Sequence, residues 1–210
     1  MSMTPSITSR PIVVISIIKI NIAVFLVWIL SSFNDPSFMI HNFLVSWTGL
    51  LEGRYWTLLT SVFSHNMFFH IFINMYAFLG FGAVVENVLG PLRFLSFYLW
   101  AGFFASLGHC LVSTYLMGEP TLPALGASGA ISGVIILFSL LFPKEKILLL
   151  GIIPIPALFA SVVIIGFDLI GLIEQTRGGR LPIGHGAHLS GAMYGVIYYL
   201  FLLKKRSLDK

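Results

Sequence analysis

About six stretches of this chain are apolar over roughly the 20 residues a helix needs to cross a bilayer, and that pattern leaves few ways to fold. They run approximately 12–32, 57–82, 92–115, 126–142, 147–171 and 186–203, separated by Gly, Pro and charge. Backbone N–H and C=O groups in hydrocarbon must be paired within their own segment, so each run is expected to be a helix. Only 10% of the 210 residues are charged, against about 25% in an ordinary soluble domain. The mean hydropathy is +0.95. The expectation is an all-α, polytopic membrane protein, one domain over residues 1–210, with six transmembrane helices in a bundle.

Charge orients the bundle. With six spans, both termini and the second and fourth loops share one side, which carries Arg10, Arg93, Lys144, Lys146, Lys204, Lys205, Arg206 and Lys210. The other side has Arg54, Arg177 and Arg180, so the positive-inside rule places both termini in the cytoplasm. Lys19 interrupts the first run, which reads as a retained signal anchor. The basic tail "LLKKRSLDK" is then ordinary membrane anchoring, and no nucleic-acid partner is expected. Cys110 is the single cysteine; it excludes an intramolecular disulfide and a multi-cysteine metal cage, and no cofactor or metal is expected. The connection from Phe33 to Trp56 mixes Phe38, Met39, Phe43, Leu44, Trp47, Leu50 and Leu51 with polar residues, as an amphipathic element in the outer interface would.

Polar side chains inside spans are costly and usually face the bundle interior or a wet cavity. His70 and Asn74 stand four apart, on one helix face, where interhelical hydrogen bonding is the simplest reading. Ser128 sits in "PALGASGAISG", where Pro123 and Gly126 punctuate the chain and place the serine near a helix N-terminus. Free backbone N–H groups and the positive end of the helix dipole can hold a developing negative charge there. A small packing residue bonded to its own helix is the competing reading. In "GHGAHLSGAMYG", His188, Gly191 and Gly195 fall at i, i+3 and i+7, a histidine above a small-residue face. Gly129 and Gly133 form a second such face, so the two helices are able to approach and pair a nucleophile with its base.

The segments "HNMFFHIFINM", "GFGAVVENVLGPLRFLSFYLWAG", "GASGAISG" and "AHLSGAMYG" occur in order over roughly residues 10–203, and together they resemble the rhomboid family of intramembrane serine proteases, of the bacterial six-span core type. The resemblance implies a rhomboid-like bundle in which Ser128 is the nucleophile and His188 the general base. His70, Asn74 and the Ser128 backbone N–H would line the oxyanion hole. Gly126 matches the glycine two before the nucleophile, while Glu86 and His65 match structural positions. The implied activity is serine endopeptidase cleavage of transmembrane segments of membrane proteins, reached between spans 2 and 5 under a mobile cap containing Gly178, Gly179 and Pro182. A bacterial inner membrane is the implied location, and the oligomeric state is left open.

Two positions depart from the family pattern: Ser132 stands where an aromatic ring commonly stacks on the histidine, and Thr57 where the first loop usually has arginine. Ser132 is expected either to hydrogen-bond the His188 imidazole or to bond back to its own helix carbonyl, with an aromatic such as Tyr194 packing the histidine. A Ser–His dyad is expected, because Asp168, the available third member, lies near the outer end of its span and reads as solvated or helix-bonded. His185 reads as an interface residue. The alternative function is an inactive rhomboid-like protein that binds membrane clients.

Overall fold

The computed structural model describes residues 10–149, 153–179 and 183–208, with side chains through 147 and from 153 to 202 outside that last gap. Arg180, Pro182 and Lys210 fall outside the described residues, as do the side chains of Lys204, Lys205 and Arg206. The long helices are α1 (Ile12–Ser32), α7 (Pro91–Tyr115), α9 (Ala157–Thr176) and α10 (His185–Leu208). A further membrane-length segment, Phe68–Leu89, joins α5 (Phe68–Ala77), a π-helical turn at Phe78–Gly82 and α6 (Ala83–Leu89). Among the described residues, α1, Phe68–Leu89, α7 and α9 are long and apolar enough to cross a membrane.

The centre belongs to α8 (Ser128–Leu141), which is shorter and almost wholly enclosed. It packs against α7, α9, α10 and the π-helical turn. Glycine makes this possible: a Cβ at Gly195 would come within 2.6 Å of the Gly133 carbonyl oxygen, and one at Gly133 within 2.8 Å of the Gly191 carbonyl oxygen. The α8 and α10 backbones therefore touch along their small-residue faces, as the spacing predicts. Phe78, Phe94, Phe97, Tyr98, Val134 and Leu137 form the apolar core around that contact, while α1 and α9 turn many large side chains outward to where lipid would lie.

Two span starts differ from the sequence expectation. Residues 57–67 do not extend the second span; they form α4 (Thr57–Thr60), a short 3₁₀ turn and an extended stretch at Ser64. Hydropathy counts apolar atoms and does not see that His65, fully buried, is drawn off to the Ser128 loop. Residues 147–149 and 153–156 likewise leave the fifth span, because β1 (Lys146–Leu149) pairs antiparallel with β2 (Ile153–Pro156). Pro154 and Pro156 lack the N–H a helix interior requires, so α9 begins only at Ala157.

The first connection holds α2 (Ser37–Phe43) and α3 (Trp47–Leu51), which expose Phe38 and Leu51 and bury Met39 and Leu50, the half-sunk pattern of an interfacial element. Thr57 is buried and donates its hydroxyl to the Arg54 carbonyl at 2.6 Å. Arg54 packs under Gly49, pairs with Glu52 at 2.8 Å and reaches the His41 carbonyl. The loop thus has a half-buried arginine, three residues before the expected position.

Candidate active site

The segment before α8 is held from three sides. Ala124 exchanges backbone hydrogen bonds with Val45, Gly126 N–H donates to the Ser61 carbonyl at 2.9 Å, and Ala127 N–H donates to His65 Nε2 at 3.4 Å. Gly126 has φ +125, a conformation side-chain-bearing residues rarely adopt. A Cβ there would also lie 2.7 Å from His70 Cε1, so the absent side chain lets the His70 ring rest on the turn. Ser128 is the first residue of α8, where backbone N–H groups have no partner within the helix.

Across the glycine contact, His188 Nε2 lies 2.8 Å from Ser128 Oγ. That is hydrogen-bond reach for a hydroxyl and its base. His70 packs edge-on against His65 with ring centroids 4.8 Å apart. Asn74 is buried and gives one amide proton to the His70 carbonyl at 2.8 Å, which fixes its side chain and leaves a second proton to donate. His70, Ser128 and His188 thus meet at one turn of backbone, with Asn74 one helical turn beyond His70 on the same face.

Glu86 lies away from this site. Its carboxylate accepts the N–H groups of Val13 at 3.0 Å and Val14 at 2.9 Å, capping the start of α1.

Two sequence readings are corrected, and one left as a pair of alternatives is decided. Asp168 is neither solvated nor bonded to its own helix: it is 7% exposed, and its Oδ1 lies 3.0 Å from His188 Nδ1. His185, read as interfacial, is buried and places Nδ1 2.7 Å from the same oxygen. The turn of α9 that carries Asp168 faces inward, and Gly171 on that face leaves room for the His185 ring; a Cβ there would lie 2.7 Å from His185 Cδ2. Finally, the Ser132 hydroxyl does not orient His188; it donates to the Ser128 carbonyl at 2.9 Å, within its own helix. Tyr194 stacks on Phe104 and leans on Phe97. The ring beside His188 is His185, edge-on at 6.4 Å.

Asp168 and His185 are the residues sequence reasoning missed. A signal was present: His185 and His188 stand three apart on one face of α10, and Asp168 and Gly171 three apart on one face of α9. Proton placement follows from the network. With Nδ1–H of each imidazole donating to the carboxylate, His188 Nε2 is free to accept from Ser128 Oγ–H. Asp168, His185 and His188 also have the donor types and spacing of a possible metal-binding group, but the two hydrogen bonds already account for their arrangement.

The sequence model of the Rhomboid domain family matches residues 52–205. Among curated proteins, the chain is 32% identical to "RHOMBOID-like protein 12, mitochondrial" of Arabidopsis thaliana, over 92% of this chain and 59% of the relative. It is 34% identical to "Rhomboid protein 1, mitochondrial" of Saccharomyces cerevisiae, over 91% of this chain and 53% of the relative. A mouse protein named "Presenilin-associated rhomboid-like protein, mitochondrial" is 34% identical over 69% of this chain and 37% of its own length. The chain therefore spans between 37% and 59% of the length of these relatives. Their names are mitochondrial, and the bacterial inner membrane expected from the sequence finds no support among them. A helical bundle with a serine and histidine joined across glycine faces, together with a family match over most of its length, makes this chain a member of the rhomboid family.

Proposed function

We propose that the protein is an intramembrane serine endopeptidase, and the observation that carries the proposal is the 2.8 Å contact between Ser128 Oγ and His188 Nε2 at the N-terminus of an enclosed helix. His188 Nε2 takes the hydroxyl proton as Ser128 Oγ bonds to a peptide carbonyl carbon. The carbonyl oxygen becomes an oxyanion, held by the Ser128 backbone N–H, His70 and Asn74. Collapse breaks the C–N bond, with the proton passing from Nε2 to the leaving amine. Water then adds to the acyl carbon and gives its proton to Nε2, and the ester C–O bond breaks as Ser128 Oγ takes that proton back, releasing a carboxylic acid product.

The substrate is a transmembrane segment, since the pair lies within an apolar bundle. A helical peptide bond has its carbonyl already committed, so segments with small or helix-weakening residues at the cut are attacked first. The entry the resemblance implies lies between the second and fifth spans, here α5 and α9, both of which pack on α8. The charge asymmetry orients that site toward the face opposite the termini.

Purified protein in detergent, incubated with a fluorophosphonate probe and separately with a transmembrane reporter, tests the reading. The parent is expected to label and to cleave, and Ser128→Ala to do neither while remaining folded. A parent that neither labels nor cleaves would overturn the protease reading.

A further inference from the structure

Asp168 Oδ1 is shared by two histidines, and only one of them touches Ser128. A carboxylate in an apolar bundle is costly unless donors satisfy it, and breaking such a network costs more than a surface pair would. Here the donors come from one face of α10, so the helix that carries the base also carries the group that holds its partner. His185 is enclosed because Gly171 makes room for it, and its ring stands edge-on to that of His188 at 84°.

We infer that Asp168 and His185 are positioning residues that hold the His188 imidazole with Nδ1 protonated and Nε2 turned to Ser128. This rests on the serine endopeptidase reading. Two rotations and two tautomers are open to a neutral imidazole, and only the one with an unprotonated Nε2 at the hydroxyl can accept its proton. The carboxylate selects that state by accepting from Nδ1, and it faces the positive charge that grows on the ring as Ser128 attacks. His185 fixes the carboxylate in turn: its Nδ1–H holds the same Oδ1, so the acceptor does not rotate off His188. The position that family relatives fill with an aromatic ring after the serine is thus left to Ser132, because orientation comes from the opposite edge of the imidazole.

The test uses the full chain in detergent with ¹⁵N-labelled histidine, reading the imidazole nitrogens of His188 by NMR beside kcat and KM on a transmembrane reporter. The parent is expected to show a protonated Nδ1 and an unprotonated Nε2. Asp168→Ala is expected to give a tautomer mixture and to lower kcat by about 100- to 10,000-fold with KM little changed. Asp168→Asn, which keeps the shape if the alanine variant fails to fold, is expected to do the same. His185→Phe keeps a ring without the donor and should lose roughly 10- to 100-fold, the worth of a hydrogen bond to a charged group. His185→Asn, which restores an N–H near the Nδ1 position, should recover most of that. A parent-like kcat and parent-like nitrogen signals in both Asp168 variants overturn the inference. His185→Asn no better than His185→Phe removes His185 from it. Because the nitrogen signals do not depend on turnover, an inactive parent defeats the protease reading while the tautomers still decide this one.

Discussion

His65 Nε2 accepts the backbone N–H of Ala127, so a histidine from the turn before the second span holds the residue immediately ahead of Ser128. His65 is fully buried, and its removal orphans an N–H at the base of the candidate nucleophile. His65→Ala is expected to cost about 1–3 kcal/mol of stability and to slow fluorophosphonate labelling of Ser128. His65→Gln, which can present an acceptor at the same depth, should fall between alanine and parent. Thermal unfolding and labelling rate measured on the same preparations check both.

Loss of one oxyanion donor in soluble serine proteases costs on the order of 100- to 1,000-fold in kcat. His70→Ala and Asn74→Ala are each expected to show a loss of that order on the reporter, with KM nearly unchanged. Parent-like turnover in both would return this helix face to simple interhelical bonding.

Ser132→Ala is expected to leave kcat and KM within about twofold of the parent, because the hydroxyl it removes is satisfied by its own helix and replacing such a group costs little. Reporter kinetics settle it; a clear loss would show that Ser132 reaches the histidine during turnover.

The glycine contact gives a pair with opposite signs. Gly195→Ala pushes a methyl toward the Gly133 carbonyl, and the overpacking should cost about 1–3 kcal/mol and separate the helices that carry the pair. Gly166→Ala meets nothing within 4 Å and should stabilise α9 by roughly 0.5–1 kcal/mol. Thermal unfolding in one detergent distinguishes them, and equal shifts would refute the close approach.

Glu86→Ala leaves the Val13 and Val14 N–H groups unpaired and removes a negative charge from a helix N-terminus, an expected cost of about 1.5–3 kcal/mol. Glu86→Gln should recover only part of it. Proteolysis at the start of α1 reads the effect locally.

The parts of the fold set by repeating local pattern were legible in the chain. Gly129, Gly133, Gly191 and Gly195 recur at helical spacing, and that spacing alone predicts a close crossing with Ser128 and His188 at one end. What hydropathy could not resolve was backbone state at equal apolarity: Pro154 and Pro156 keep part of an oily run as a paired strand, and the stretch around Ser64 and His65 leaves the helix to serve a loop. Asp168 was misread for a different reason. Its depth was approximately right, but whether a side chain near a span's end meets water or the bundle depends on the rotation of α9, which is set by tertiary packing.

α1 is greasy along most of its outer face, yet it is fastened by polar contacts at two heights. Near its start, Val13 and Val14 are held by Glu86, and near its end Trp28 Nε1 donates to Ser64 Oγ at 2.6 Å. Fourteen residues separate Val14 from Trp28, roughly 21 Å of helix rise, shorter than the hydrocarbon thickness of a typical bilayer. Helices answer thickness mismatch by tilting, and a rod fixed at two points cannot tilt without loading its fastenings. Ser64 is the upper one, and its neighbour His65 holds the residue ahead of Ser128. Membrane thickness thereby has a mechanical line to the serine through a helix that contributes no side chain to the Ser128–His188–Asp168 network.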